Sequence, residues 1–100
     1  MLKHIVMWKF KETAEGRTKA ENIAMMHARL SALPPQISCI LSFELGRDVC
    51  HTEKSYDMVL VSEFENVAKM LEYRRNPDHM SVSGLMAKLV ESRAVVDFEF

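Results

Sequence analysis

The residues best placed to do chemistry stand around one proline: Tyr73 and His79, six positions apart, flank Asn76-Pro77-Asp78. Asparagine serves well as the residue before a helix. Proline suits the first helical position because its missing N–H would be unpaired there, and an acid in the first turn opposes the positive end of the helix dipole. Asn76 to Asp78 therefore reads as a helix start that places His79 in the first turn. The positive potential at that end disfavours a second positive charge, so the His79 imidazole is expected to stay neutral and able to accept a proton. That is the state a general base needs. The same four residues also make a good helix start with no chemical role, and both readings stay open at this point.

The elements on either side must hold these residues. Leu2 to Lys11 alternates with period two, His4, Val6, Trp8 and Phe10 facing one way and Lys3, Ile5, Met7, Lys9 and Lys11 the other, which predicts a strand. Glu12 to Gly16 is polar and turns the chain. Lys19, Ile23, Met26, Leu30 and Leu33 follow helical spacing up to the stop at Pro34-Pro35, with Glu15, Arg17, Glu21, His27 and Arg29 on the solvated side. Ile37 to Gly46 and Tyr56 to Phe64 alternate as a second and third strand, joined by a charged loop, Arg47 to Lys54, that contains His51 and can form a surface flap. Asn66 caps a short helix over Val67–Arg74, and a further helix runs from Pro77 to about Glu91, weakened slightly by Gly84. Arg93 to Phe100 forms the last strand, with Ala94, Val96, Phe98 and Phe100 on one face and Val95 among charges on the other.

One hundred residues, 48% of them apolar, make a single domain over 1–100 with a core of its own. Thirteen basic against fourteen acidic side chains, with no run of like charge, give no footing for nucleic acid or an anionic membrane. The longest N-terminal apolar run, Ile5 to Trp8, is too short for a leader core or a span, so a cytoplasmic protein is expected. Cys39 and Cys50 lack any ligand spacing and fit reduced thiols, Cys39 in the core. No metal or organic cofactor is expected, since the four histidines are scattered and there is no glycine-rich phosphate loop. Of the eight methionines, Met25, Met26, Met58, Met70, Met80 and Met86 could line an adaptable pocket or simply fill gaps in the core.

The order strand, helix, strand, strand, helix, strand predicts an α+β fold, a ferredoxin-like βαββαβ protomer with helices over one face of a four-stranded antiparallel sheet. The larger residues Trp8, Phe43, Leu60 and Phe98 suggest the helix side. The other face, assigned Ile5, Met7, Ile40, Val59, Val61 and Val95, is too apolar for water. A second copy would cover it, giving a homodimer in which two sheets close an eight-stranded α+β barrel.

Three separated pieces resemble the stress-responsive A/B-barrel family of dimeric α+β barrels: Lys3-His4-Ile5-Val6-Met7-Trp8-Lys9-Phe10-Lys11, Tyr73-Arg74-Arg75-Asn76-Pro77-Asp78-His79, and Val90-Glu91-Ser92-Arg93-Ala94-Val95-Val96-Asp97-Phe98-Glu99. The resemblance spans the chain and implies a homodimer of ferredoxin-like protomers. It also implies a site, because a plant member is a cofactor-independent polyketide cyclase with a histidine base and a tyrosine six residues before it, matching His79 and Tyr73. That cyclase resembles Tyr-x-x-His-Pro-x-His, whereas this chain has Asn76 in place of the first of those histidines. In such an aldol-type step His79 would remove an acidic C–H and Tyr73 would donate to the oxyanion that forms. His4, which matches a histidine near the family's pocket, and Trp8 on the same strand face are the candidate ligand-binding residues. Two functions follow: a barrel that binds a small apolar carbonyl compound, or has a structural or stress role, without catalysis; or a cyclase, lyase or monooxygenase-like enzyme on the same scaffold.

Overall fold

In the computed structural model, which describes residues 1–100, the organising element is β1 (Leu2–Phe10), paired on both edges. A two-residue hairpin, β2 (Thr13–Ala14) and β3 (Arg17–Thr18), leads into α1 (Lys19–Ser31). A 3-10 turn (Pro34–Gln36) precedes β4 (Ser42–Arg47) and β5 (Met58–Phe64), followed by α2 (Val67–Arg75), α3 (Pro77–Leu89) and β6 (Val90–Glu99). The main sheet is antiparallel with order β4-β5-β1-β6, the ferredoxin-like arrangement, and the helices lie over one face. No helix is long and apolar enough to cross a membrane.

Each helix starts where the sequence supplies a cap. Thr18 opens α1 with a capping box: its hydroxyl accepts from Glu21 N–H while the Glu21 carboxylate accepts from the Thr18 N–H at 2.9 Å. That pairing holds the Glu21 carboxyl below its usual range. The preceding turn carries Glu15 and Gly16 at positive φ and is pinned by Asn22, fully buried in α1, whose amide donates to the Ala14 carbonyl and accepts from Arg17 Nε. Apolar spacing gave no reason to expect a buried amide there. At the other end of β1, the Asp57 carboxylate accepts from Phe10 N–H at 2.7 Å and meets Lys19 at 3.4 Å, tying the β5 approach to the start of α1.

The buried face of the sheet is His4, Val6, Trp8 and Phe10 of β1 with Met58, Leu60, Ser62 and Phe64 of β5, packed against Met26, Leu30, Met70, Tyr73, Val82, Met86 and Leu89. Trp8 and Leu60 thus lie on the helix side as expected, with Phe43 partly buried against the same core. Two expectations are corrected. The second strand begins at Ser42, not Ile37: Pro34-Pro35 draws the chain into a 3-10 turn, and Ile37 and Ile40 close a further turn, so Ile40 packs against the core and not on the outer face, while Leu41 is exposed. Period-two alternation of apolar residues is satisfied equally by such a turn-and-pack segment. In β6 the two faces are exchanged: register sets Val95 opposite Val6 and Asp97 opposite His4, on the helix side, and Val96 opposite Ile5 with Phe98 opposite Lys3 on the outer side. Alternation says which residues share a face but not which face is inward, and here the more apolar set points away from the helices.

Gly84 sits in the interior of α3, where a Cβ would meet nothing within 4 Å. Gly84→Ala should therefore stabilise the fold by about 0.5–1 kcal/mol, because alanine loses less backbone entropy and clashes with nothing. Chemical denaturation of the two proteins reads this; an unchanged or lower midpoint would contradict it.

Candidate functional site

Asn76 terminates one helix and begins the next. Its N–H donates to the Tyr73 carbonyl at 3.1 Å, closing α2, and its side-chain oxygen accepts from Asp78 N–H at 2.9 Å, opening α3 at Pro77. Its extended ψ of 133° is the conformation that a following proline imposes. The corner between the helices brings Tyr73, in the last turn of α2, against His79, in the first turn of α3, with ring centroids 4.3 Å apart.

The His79 Nδ1 lies 3.1 Å from the Arg74 carbonyl. A carbonyl can only accept, so Nδ1 carries the proton and Nε2 keeps its lone pair. Burial holds the imidazole below its ordinary range, and the nearby His4, Arg74 and Arg93 push the same way, while the bond to the Arg74 carbonyl partly opposes them. The direction is the one anticipated from the helix start; the leading cause is desolvation, not the helix dipole. Tyr73 is 1% exposed and stacks between His79 and Phe64, the latter at 5.0 Å. Burial, with Cys39 nearby, raises its phenol well above the usual value, so the group stays protonated and able to donate.

His4 is held from the other side of the same space. Its ring is 6.2 Å from that of Tyr73, and its Nδ1 donates to the carboxylate of Asp97, directly opposite on β6. Asp97 was not singled out in the sequence; the signal was there in the antiparallel alternation, but it was assigned to the outward face of β6. The same exchange brings in Arg93, opposite Trp8.

Tyr73, His79, His4 and Trp8 all line one cavity of about 620 Å³ between the inner face of the sheet and α3. This is the size range of small-molecule sites. Val6, Leu60, Val82 and Met86 make its apolar wall, and Arg74, Met80, Glu91 and Arg93, all exposed, stand at its rim. Of the methionines, Met80 and Met86 line it, while Met26, Met58 and Met70 are core. His27 and His51 do not contribute, and Cys39 is half-buried outside it, its thiol donating to the Lys69 carbonyl. No three His, Cys, Asp or Glu side chains converge as a metal site.

The fold and this pocket define an α+β protein of ferredoxin-like topology with a small-molecule-sized cavity between sheet and helix. The chain belongs to the stress-responsive A/B-barrel domain family, whose model matches residues 2–100. Among solved structures it is similar to a dimeric protein of unknown function with a ferredoxin-like fold from Bacteroides fragilis, at 31% identity over 99% of this chain and 95% of that one, TM-score 0.86. A dimeric ferredoxin-like protein of unknown function from Thermobifida fusca is 21% identical over 99% and 90%, TM-score 0.85. The hydroxynitrile lyase of Passiflora edulis is 17% identical over 97% and 90%, TM-score 0.82, a likeness of fold. No curated protein matches the chain.

Because folding lowers the affinity of His79 for a proton, the unfolded chain binds more protons at that site as pH falls through the ordinary histidine range. Its contribution to stability is therefore intact above about pH 6.5 and shrinks as pH falls below that, until the folded ring itself titrates. NMR titration should place the His79 ring below a model histidine, and His79→Gln should flatten that part of the stability profile. A ring titrating above the model value would contradict this assignment.

Proposed function

We propose that this protein is a homodimeric barrel that binds a small apolar carbonyl compound in the cavity between sheet and α3. The observation that carries the reading is the convergence in one apolar pocket of a phenol held protonated and a histidine whose Nε2 is left free as an acceptor. A carbonyl oxygen suits the Tyr73 hydroxyl, which no hydrogen bond within the chain engages although no buried polar side-chain atom is left unpartnered, so that it borders open space. Trp8 and the aliphatic wall suit the rest of such a molecule.

Dimerisation through the outer face is supported by the apolar residues gathered there: Ile5, Met7, Val59 and Val61, with Val96 and Phe98 left 59% and 42% exposed in the single protomer. That is more apolar surface than a lone sheet face leaves to water, and relatives of the same fold are dimeric.

A second reading, catalysis, is favoured by the tautomer alone. With Nδ1–H fixed on the Arg74 carbonyl, Nε2 can take a proton from carbon next to a carbonyl group; the C–H electron pair moves into an enolate, and the Tyr73 O–H donates to its oxygen. A lyase on this fold is in keeping with such chemistry.

Trp8 is the only tryptophan and lies on the cavity wall, so its emission reports occupancy. Titration with a medium-chain ketone or a β-diketone should change it saturably, and Tyr73→Phe should weaken binding roughly fivefold through loss of one hydrogen bond. No saturable change with either compound would overturn the binding reading. For catalysis, NMR should show protein-dependent exchange of the central β-diketone protons with deuterium that disappears in His79→Ala; exchange unaffected by that change would remove His79 as the base. For assembly, sedimentation should give a dimer at micromolar concentration and Val61→Glu should yield monomers, whereas a monomeric wild type would refute the barrel.

A further inference from the structure

Two guanidinium groups stand free at the rim of the cavity. Arg74 belongs to the last turn of α2 and Arg93 to β6, where its register opposite Trp8 turns it to the cavity side of the sheet. Both are close enough to His79 for their charges to depress its protonation. Neither makes an ion pair: the charged pairs of the chain are Lys3–Glu63, Lys9–Glu91, Lys19 with Glu12 and Asp57, Lys69–Glu72, and the histidine–carboxylate pairs of His4 with Asp97 and His51 with Asp48. The one acid that lines the cavity, Glu91, faces Lys9 at 3.9 Å, and Asp97 on the same strand is bonded to His4. Arg74 has a partial alternative role, since a cation at a helix C-terminus is favourable. Arg93, on a strand, has none.

An apolar cavity with a hydrogen-bond donor inside and two unpaired guanidiniums at its rim is asymmetric in a way that a neutral ketone does not use. We infer that the ligand is an oxo acid, its carboxylate held at the rim by Arg74 and Arg93, its apolar chain along Trp8 and its carbonyl at Tyr73 and His79. The inference rests on the carbonyl-binding reading above and adds the ligand's charge. Guanidinium recognises carboxylate through paired, charge-assisted hydrogen bonds, which distinguish a carboxylate from its ester.

The test uses 6-oxodecanoate and its methyl ester, which share chain and ketone and differ in charge, titrated into the intact protein by calorimetry and by Trp8 emission. The acid should bind about tenfold more tightly than the ester at low salt, the advantage shrinking as ionic strength rises. In the double variant Arg74→Gln with Arg93→Gln the ratio should fall to near one; melting temperature checks that both proteins are folded. Equal binding of acid and ester by the wild type overturns the oxo-acid inference and leaves the carbonyl reading standing. So does an acid preference that survives in the double variant. If neither compound binds, the carbonyl reading itself fails and takes this inference with it.

Discussion

The constraint on which the rest of the structure depends is that β1 is paired on both edges, to β5 through Leu2↔Phe64 to Trp8↔Met58 and to β6 through Leu2↔Glu99 to Trp8↔Arg93. A strand fixed on two sides cannot slip by one residue without turning every side chain to the wrong face. Because His4 and Trp8 are on that strand, its register also decides what stands beside them: Ser62 and Asp97 beside His4, Met58 and Arg93 beside Trp8. The sheet is therefore both the floor of the core and the template of the pocket. Ser62, wholly buried, donates to the His4 carbonyl and gives that arrangement a polar fastening where an aliphatic residue would give none.

The second half of the site comes from the helices. Tyr73 and His79 belong to different helices whose axes change direction at Asn76, so their contact depends on a cap, not on helical periodicity. The two halves meet across the cavity, where His4 and His79 each commit Nδ1 to an acceptor, a carboxylate in one case and a backbone carbonyl in the other. The difference matters electrically. At His79 the acceptor carries no net charge, and burial, with the two arginines adding to it, holds the ring below its ordinary range.

Most of the fold was legible in the sequence because its signals are local: alternation in β1 and β5, the Asn66 and Asn76 caps, the Pro34-Pro35 stop. Tyr73 and His79 were legible for the same reason, as neighbours across a cap. What could not be read locally was the orientation of β6. Apolar bulk favoured the Val96 and Phe98 face as the inner one and gave the wrong vote, and the pairing with β1 that settles the matter is a contact between residues some ninety positions apart. Asp97 and Arg93 were hidden by that single choice. Asn22 was hidden differently, since a buried amide that serves a turn leaves no periodic trace.

The double role of Asn76 bears on how such a protein can diverge. One residue closes α2 and opens α3, with no linker between the two helices to absorb a change in length. Substitutions around the corner are tolerable as long as capping survives. Inserting or deleting one residue in the last turn of α2, between Tyr73 and Asn76, would turn α3 by roughly 100° about the α2 axis and carry His79 away from Tyr73. The pocket wall and the rim can change without disturbing that corner, whereas the contact between phenol and imidazole cannot survive a change in the number of residues between them.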